Sequence, residues 1–295
     1  MPEQSAIAPV ELSAIMSASS PGKALKPVQI GYRLLREFLR VYPFGPGKSL
    51  AGNAAYRLFG FAEVKTRFGM RMRVHPNEVL GRRILCTGFW EPEITALFGE
   101  LLSPGDVVLD IGANIGYFTL LASKLVRETG KVLAFEPQSS NRALLLENIL
   151  LNGAQNVQVF AMGLADQNGE ARLYRGTPRN PGLSSIRPAQ NGPSERIELR
   201  RGDEIISRDL WQRVRLIKMD IEGAELSALR GLFAVLATNA AINLLVEVTP
   251  SYLEEMGDSE EGLLTFLREL GYAMRIVTEG PAYEVRQYDA WFARA

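Results

Sequence analysis

The sequence predicts a doubly wound α/β domain, in which a mainly parallel sheet is covered by helices on both faces. Two observations lead to this class. From Asp106 onward, short apolar runs of strand length alternate with amphipathic segments of helix length. The apolar runs are continuous, which is typical of parallel strands buried on both faces. In such folds the ligand lies outside the carboxyl ends of the strands, so we expect the functional site at that edge.

The composition fits one large domain with a smaller N-terminal extension. The chain has 295 residues, of which 46% are hydrophobic, enough to bury a large core. The 33 Lys and Arg residues balance the 33 Asp and Glu residues, so no basic field favours nucleic acid or an anionic membrane as a partner. The single cysteine, Cys86, excludes an internal disulfide and a cysteine-based metal cluster.

The first third of the chain is predicted to form a tail and a cap. Residues 1–27, rich in Ala, Ser and Pro, are expected to be disordered, and they lack the features of a signal peptide. Residues 28–100 are expected to form a helical and β-hairpin cap. Within it, residues 28–42 have the spacing of an amphipathic helix, which packs on the protein's own core or forms a homodimer contact or a lid. Residues 63–74 predict the hairpin.

Residues 101–295 are predicted to form the main domain. Its six predicted strands cover residues 107–111, 131–136, 157–162, 215–220, 241–248 and 272–277. Its four predicted helices cover residues 115–127, 139–151, 224–237 and 259–270, the last ending at Gly271 as a C-cap. Residues 177–202 contain several prolines and glycines that interrupt any period, so we expect a long irregular loop there.

The first strand of the main domain ends in an acid and a glycine turn. Asp110 is followed by Gly112, Asn114 and Gly116, at the place where α/β folds bring the backbone close to a ligand. The turn lacks the G-x-G-x-x-G pattern of a dinucleotide site and the Gly-Lys-Ser/Thr of a P-loop. A carboxylate here attracts an ammonium group and repels a pyrophosphate, so we expect the ligand to carry an amine. Tyr117 either shapes this pocket or belongs to the core.

Acids after the next two strands extend the predicted ligand site. Glu136, which precedes Pro137, lies about 20 residues past the glycines, where a carboxylate binds both hydroxyls of a ribose. Asp166 follows the third strand and can accept a hydrogen bond from the exocyclic amine of adenine. An amine, a ribose and an adenine in this order predict S-adenosylmethionine as the ligand. A nicotinamide cofactor fits less well, because its pyrophosphate fingerprint is missing.

Four stretches of sequence carry a family resemblance. They are residues 110–119 (DIGANIGYFT), 135–137 (FEP), 148–152 (NILLN) and 217–225 (IKMDIEGAE). Together they resemble the FkbM-type S-adenosylmethionine-dependent methyltransferases, over residues 81–292. The resemblance implies a class I methyltransferase (Rossmann-like) fold with seven strands, the seventh added at the sheet edge at residues 290–293. It also implies O-methylation of sugars or natural-product intermediates.

The candidates for a catalytic base are four acids and one histidine. Asp220 ends the fourth strand, Glu222 and Glu225 follow it at once, and Glu247 lies near the end of the fifth strand. A carboxylate can accept the proton of a hydroxyl acceptor, but Asp220 equally suits a role in ordering the turn, and the next two acids equally suit a helix N-terminus. The only histidine, His75, is either a base or a solvated loop residue of the cap.

We therefore expect an S-adenosylmethionine-dependent O-methyltransferase that acts on a small molecule, with Asp220 lining the donor site as well. An N-methyltransferase and a non-catalytic S-adenosylmethionine-binding protein are the alternatives. Asp220 and Glu247 suit a hard divalent cation, but no third ligand is evident, so no metal is predicted. Residues 177–202 are expected to fold over the acceptor with the cap. The sequence has no run of roughly 20 apolar residues, and we expect a cytoplasmic protein.

Overall fold

A computed structural model describes residues 60–176, 184–187, 192–280 and 285–294. The predicted tail at 1–27 and the predicted helix at 28–42, with its homodimer contact, lie outside the described residues. The described strands are β1 (Ala62–Lys65), β2 (Arg71–Val74), β3 (Val107–Ile111), β4 (Lys131–Phe135), β5 (Val157–Phe160), β6 (Met162–Leu164), β7 (Gly169–Tyr174), β8 (Ser194–Arg200), β9 (Val214–Met219), β10 (Asn243–Val248), β11 (Tyr272–Glu279) and β12 (Tyr288–Arg294). The described helices are α1 (Val79–Thr87), α2 (Pro92–Leu101), α3 (Tyr117–Val126), α4 (Ser139–Asn152), α5 (Gly202–Ile205), α6 (Arg208–Trp211), α7 (Glu225–Gly231), α8 (Phe233–Thr238), α9 (Pro250–Glu255) and α10 (Glu260–Glu269).

The central sheet has seven strands in the order β11-β12-β10-β9-β3-β4-β5. The five strands from β10 to β5 pair in parallel, and β12 is antiparallel to both of its neighbours. The predicted mainly parallel sheet and its six strands are confirmed. The resemblance implied that the seventh strand lies at the edge of the sheet, and this prediction is wrong. The strand returns from β11 as a hairpin and lies between β11 and β10, which buries Tyr288, Ala290 and Phe292 in the core.

Helices cover both faces of the sheet, so its strands divide their side chains between two apolar layers. Val108 and Val132 belong to the layer under α2, α3 and α4, together with the β1–β2 hairpin. Leu109 and Leu133, one residue further along the same strands, belong to the layer under α7, α8 and α10. This alternation on strands that are apolar throughout produces the doubly wound fold. Among the described residues, every helix is too short or too polar to span a membrane.

The predicted hairpin is confirmed as β1 and β2, and its contacts with α4 include a fully buried asparagine. The fully buried Asn148 accepts a hydrogen bond from the backbone nitrogen of Arg73 at 2.7 Å. Its amide donates to the carbonyl oxygens of Ile115 (2.8 Å) and Arg73 (3.2 Å). A single side chain therefore joins the cap to the loop that follows β3.

The region predicted as a long irregular loop contains a strand. Residues 194–200 form β8, which pairs with β7 in antiparallel and with β6 in parallel orientation. The sequence did not predict this three-stranded sheet, because Leu173 is the one buried residue of β7 and Ile197 the one buried residue of β8. Strands with so few buried positions lack the apolar alternation by which strands are recognised.

The helix predicted at residues 224–237 is two helices, α7 and α8, which meet at Leu232. The break follows Gly231, where the chain passes close to another segment. A Cβ atom at Gly231 would lie 2.0 Å from the carbonyl oxygen of Ala165. The other three predicted helices are confirmed to within two residues, and Gly271 adopts the left-handed conformation expected just past the last of them.

Candidate active site

Two neighbouring cavities open along the carboxyl ends of β3, β4 and β9. The first, with an empty volume of about 770 Å³, lies between the central sheet and the three-stranded sheet. Its wall is mainly apolar and includes Ile111, Phe135, Met162, Leu173, Ile197 and Leu199. Ser184 to Ile186, in the described part of the predicted lid, also line it. The cavity is suited to a flat apolar group with a few polar atoms.

Glu136 provides the carboxylate of the first cavity. It is 5% exposed and directly follows β4. One oxygen accepts from the backbone nitrogen of Asn114 at 2.7 Å, and the other accepts from that of Gln138 at 2.8 Å. Burial raises the pKa of the Glu136 carboxyl group to about 8, against the opposing effect of these two hydrogen bonds. The backbone on both sides therefore holds the side chain in one orientation at the cavity wall.

The glycine turn passes between this carboxylate and the end of β9. Gly112 has φ 84°, and a Cβ atom there would lie 2.0 Å from the carbonyl oxygen of Asp220. Gly116 has φ 93°, and its Cβ would lie 2.5 Å from the side chain of Leu145. Asn114 also adopts a positive φ, of 50°. The positive φ and the close neighbours favour glycine at both positions. The close approach at Gly112 lets the main chain of the turn line both cavities.

The second cavity is larger and acidic, with an empty volume of about 1680 Å³. It shares Gly112, Asn114, Asp220 and Glu222 with the first cavity, so one ligand can extend from one to the other. The cap contributes Leu80 and Trp90 to its wall. Among its described lining residues, five carboxylates accompany one ammonium group; they are Glu91, Asp110, Asp220, Glu222, Glu247 and Lys218.

Lys218 lies among these carboxylates. Its Nζ is 2.9 Å from Oδ2 of Asp220, and its side chain is 7% exposed. Burial acts to lower the pKa of Lys218, but Asp220, Glu91 and Asp110 outweigh it, so the pKa is raised and the ammonium group stays charged. Asp110 is also buried, which raises its pKa, and Thr119 donates a hydrogen bond to it. This ion pair fixes Asp220 at the junction of the two cavities.

Glu222 and Glu247 face Asp220 across the second cavity. Burial, followed by the negative charge of Asp220, raises the pKa of Glu222 to about 8 and that of Glu247 well above its ordinary value. One carboxylate oxygen from each of the three residues lies within 4.8 Å of those of the other two. Three acids so close together share protons or bind a cation, because their charges repel.

The fourth predicted acid, Glu225, has a different position. It accepts from the backbone nitrogens of Ile221 and Gly223, each at 3.1 Å, and it is not among the residues that line either cavity. Burial raises the pKa of its carboxyl group to about 7. Of the two roles left open by the sequence, the geometry supports the structural one, in which Glu225 orders the turn that begins α7.

The sequence of this region matches a family model described as the methyltransferase FkbM domain, over residues 110–274. The match covers more than half of the chain. The protein belongs to the FkbM methyltransferase family. Relatives of this FkbM protein include Methyltransferase 1 of Beauveria bassiana, 28% identical over 145 residues, and the hexuronic acid methyltransferase AglP of Haloferax volcanii, 26% identical over 142 residues. A third is the 2-O-methyltransferase NoeI of Sinorhizobium fredii, 30% identical over 146 residues.

The match with Methyltransferase 1 covers 42% of this FkbM protein, the match with AglP covers 48%, and the match with NoeI covers 44%. The chain in turn spans 57%, 56% and 59% of the three relatives, less than two thirds of the length of each. A solved structure of an FkbM methyltransferase from Methylobacillus flagellatus is 17% identical and superposes with a TM-score of 0.45. That superposition covers 89% of this chain and 58% of the other.

The structure brings most of the predicted site residues of this FkbM protein to the two cavities. Both cavities are lined by Gly112 and Asn114 of the glycine turn and by Asp220 and Glu222. The first is also lined by Glu136 and Pro137, and the second by Asp110 and Glu247. Tyr117 fits both of its predicted roles, since it lines the second cavity and is 2% exposed within the core.

Asp166 and His75 do not line the cavities either, like Gly116 and Glu225. Asp166 accepts a hydrogen bond from Ser227 at 2.9 Å, so its carboxylate contacts α7 and is not among the lining residues. The ring of His75 packs 4.1 Å from that of Phe61 in the cap, and its pKa is lowered by burial and by Arg73. The geometry therefore gives no support to the adenine contact of Asp166 or to a base role of His75.

The lining residues that the sequence did not predict include Lys218, Gln138 and Glu91. Lys218 lies two residues before Asp220 on the same strand, so the alternation of side chains along a strand was a usable signal. Gln138 is buried beside Glu136, and its Oε1 has no hydrogen-bond partner in the described part of the chain. Glu91 lines the second cavity only because the cap is docked there, which no local pattern predicts.

Proposed function

We propose that this protein transfers a methyl group from S-adenosylmethionine to a hydroxyl group of a small molecule. Membership of the FkbM family supports methyl transfer. The observation that carries the donor assignment is Glu136, a buried carboxylate at the end of β4, where a ribose binds in doubly wound folds. Two relatives bear the names 2-O-methyltransferase and hexuronic acid methyltransferase. We accordingly propose a sugar or a natural-product intermediate as the acceptor.

The donor fits the two cavities in one orientation. Its adenine belongs in the apolar first cavity, where Gln138 offers a buried oxygen to an amine or hydroxyl group. Its ribose belongs at Glu136, and its methionine end extends past Gly112 into the second cavity. The carboxylates there attract the ammonium and sulfonium groups of the donor. The cavities therefore suit the apolar adenine at one end and the cationic ammonium and sulfonium groups toward the other.

Methyl transfer from a sulfonium is an in-line displacement. The acceptor oxygen bonds to the methyl carbon, the bond between that carbon and sulfur breaks, and S-adenosylhomocysteine leaves. The proton of the acceptor hydroxyl passes to a carboxylate. Glu222 and Glu247 are suited to this role, because both line the second cavity and both have a raised pKa. Asp220, paired with Lys218, positions these groups.

Calorimetric titration with S-adenosylhomocysteine tests the donor site without knowledge of the acceptor. We expect saturable binding that Glu136→Ala weakens by about tenfold or more, because a charge-assisted hydrogen bond to the ribose is lost. Glu100→Ala is the matched control, since Glu100 is an exposed residue at the end of α2. Equal affinity of the wild-type protein and Glu136→Ala would remove the basis of the assignment.

Formation of S-adenosylhomocysteine from S-adenosylmethionine then tests the reaction. The acceptor panel contains neutral sugars, uronic acids, phenols and amines. Turnover with a hydroxyl acceptor supports the proposal. Turnover with amines alone would identify an N-methyltransferase, and donor binding without turnover on any class would identify a non-catalytic binding protein. Each of these two results contradicts O-methylation.

A further inference from the structure

We propose that Asp220, Glu222 and Glu247 form a binding site for a hard divalent cation beside the donor. The three acids come from the ends of two adjacent strands, β9 and β10, and from the turn after β9. Asp220 and Glu222 also line the donor cavity, so the ion would lie next to the methyl group. The existence of this site rests on the geometry of the three side chains. Its role in catalysis rests on the proposed function.

The spacing of the three carboxylates fits one ion. Oxygens from all three lie within 4.8 Å of one another. Two ligands on opposite sides of the same ion are separated by twice the metal–oxygen distance, which is about 4.2 Å for Mg²⁺ and about 4.6 to 5.2 Å for Ca²⁺. The three oxygens are therefore close enough together for one ion to contact all of them after small movements of the side chains.

A buried oxygen without a partner provides the second, independent observation. Glu222 is 9% exposed, and within the described residues its Oε2 is buried and has no hydrogen-bond partner. Glu222 also lines the second cavity, where the other two acids lie. Burying a carboxylate oxygen without a partner is costly, and coordination to a metal is one of the few ways to satisfy it.

The nearby ammonium group leaves room for the ion. Lys218 contacts Oδ2 of Asp220, so the other carboxylate oxygen, Oδ1, lies outside this ion pair. One ammonium balances one of the three carboxylates, and a divalent cation that displaced the protons of the other two would balance their charge. Hard ions such as Mg²⁺, Mn²⁺ and Ca²⁺ prefer such a set of carboxylate oxygens.

An ion in this position would explain how a weakly acidic hydroxyl reacts. Three protein ligands leave open coordination positions for the acceptor oxygen and for water. Coordination would lower the pKa of the acceptor hydroxyl and hold its oxygen beside the methyl carbon. Glu222 and Glu247 would then hold the ion instead of accepting the proton themselves, and the proton of the acceptor hydroxyl would pass to a water molecule in the open cavity.

Titration of the chelator-treated full-length protein with Mn²⁺, followed by the electron paramagnetic resonance signal of the unbound ion, tests the site directly. We expect one ion per chain in the absence of donor and acceptor. Glu222→Gln and Glu247→Gln should each weaken Mn²⁺ binding by about 100-fold. Losing a metal ligand should cost at least as much affinity as losing a residue that hydrogen-bonds to a ligand. Calorimetric titrations with Ca²⁺ and Mg²⁺ establish the preferred ion.

Glu254→Gln is the matched control, because Glu254 is an exposed carboxylate on α9 outside the cavity lining. It should bind Mn²⁺ like the wild-type protein. Thermal unfolding of each variant without metal confirms that it is folded. Absence of saturable Mn²⁺ binding, or equal binding by Glu222→Gln and Glu247→Gln, would overturn the proposal. Methyl transfer that persists in the presence of a chelator would contradict the role of the ion in catalysis and leave the proposed function intact. Mn²⁺ binding without methyl transfer to any acceptor would contradict the proposed function and leave the metal site intact.

Discussion

If the donor's ribose binds at Glu136, as proposed, we expect this residue to determine how donor binding depends on pH. Burial raises the pKa of its carboxyl group to about 8, so the empty site holds mainly the protonated form at neutral pH. Ribose hydroxyls donate hydrogen bonds to the ionised form, so the donor binds more tightly once Glu136 has lost its proton. A group whose proton must leave on binding weakens the affinity below its pKa and has no effect above it.

We therefore predict that the affinity for S-adenosylhomocysteine rises from about pH 6 to about pH 8, by up to about tenfold per pH unit, and then levels off. Calorimetric titration at several pH values measures this change. Glu136→Gln cannot titrate, so its profile contains only the contributions of the other groups, which are the ligand's own amino group and the acidic cluster of the second cavity. An affinity profile of the wild-type protein that matches that of Glu136→Gln would show that the carboxyl group is not the source.

Residue types at strand ends predicted most of the donor site. Asp110, Glu136 and Asp220 each follow an apolar run in the sequence, and parallel strands bring such positions to one edge. Asp166 shows the limit of that reasoning, because the chain after β5 enters a second sheet and turns its carboxylate toward Ser227. The direction of a side chain after a strand depends on tertiary packing, which a local pattern does not contain.

At the scale of elements, the attachment of the cap depends on Asn148. Its side chain forms three hydrogen bonds that join β2, α4 and the loop after β3. We predict that Asn148→Ala lowers the free energy of unfolding by about 2 to 4 kcal/mol, because buried backbone groups lose their partners. Chemical denaturation measures the loss, and hydrogen exchange should show faster opening of residues 62–74.

Asn152 supplies the control for this prediction. It lies one helical turn further along α4 and exchanges hydrogen bonds with the backbone of Arg71 at 2.9 and 2.7 Å, in an exposed setting. Water can replace these bonds, so Asn152→Ala should cost only about 1 kcal/mol. Equal losses for the two variants would mean that burial of Asn148 does not hold the cap.

The elements that the sequence predicted well are those with continuous apolar runs. The five parallel strands of the central sheet are apolar enough to be recognised alone. The three-stranded sheet was missed because β7 and β8 each bury one residue, at Leu173 and Ile197. Yet this sheet supplies one wall of the first cavity. The part of the site that the sequence predicted least well is therefore a part that shapes the ligand cavity.

At the scale of the whole molecule, the strand order explains why the site lies where it does. The chain winds outward from β3 in both directions, through β4 and β5 on one side and through β9 and β10 on the other. The connections therefore diverge beside β3 and leave a crevice at its carboxyl end. The glycine turn lies in this crevice, with Glu136 on one side and Asp220 on the other. The cap then closes the acidic side with Trp90 and Glu91.

The central claim is that this crevice holds the methyl donor with its ribose at Glu136 and its methionine end at the acidic cluster. A crystal structure of the protein with S-adenosylhomocysteine tests it most directly. We predict that both ribose hydroxyls lie within hydrogen-bond distance of the Glu136 carboxylate. The adenine should pack against Phe135 and Met162, and the sulfur should face Asp220. Ligand bound elsewhere, or bound with its methionine end in the apolar cavity, would contradict it.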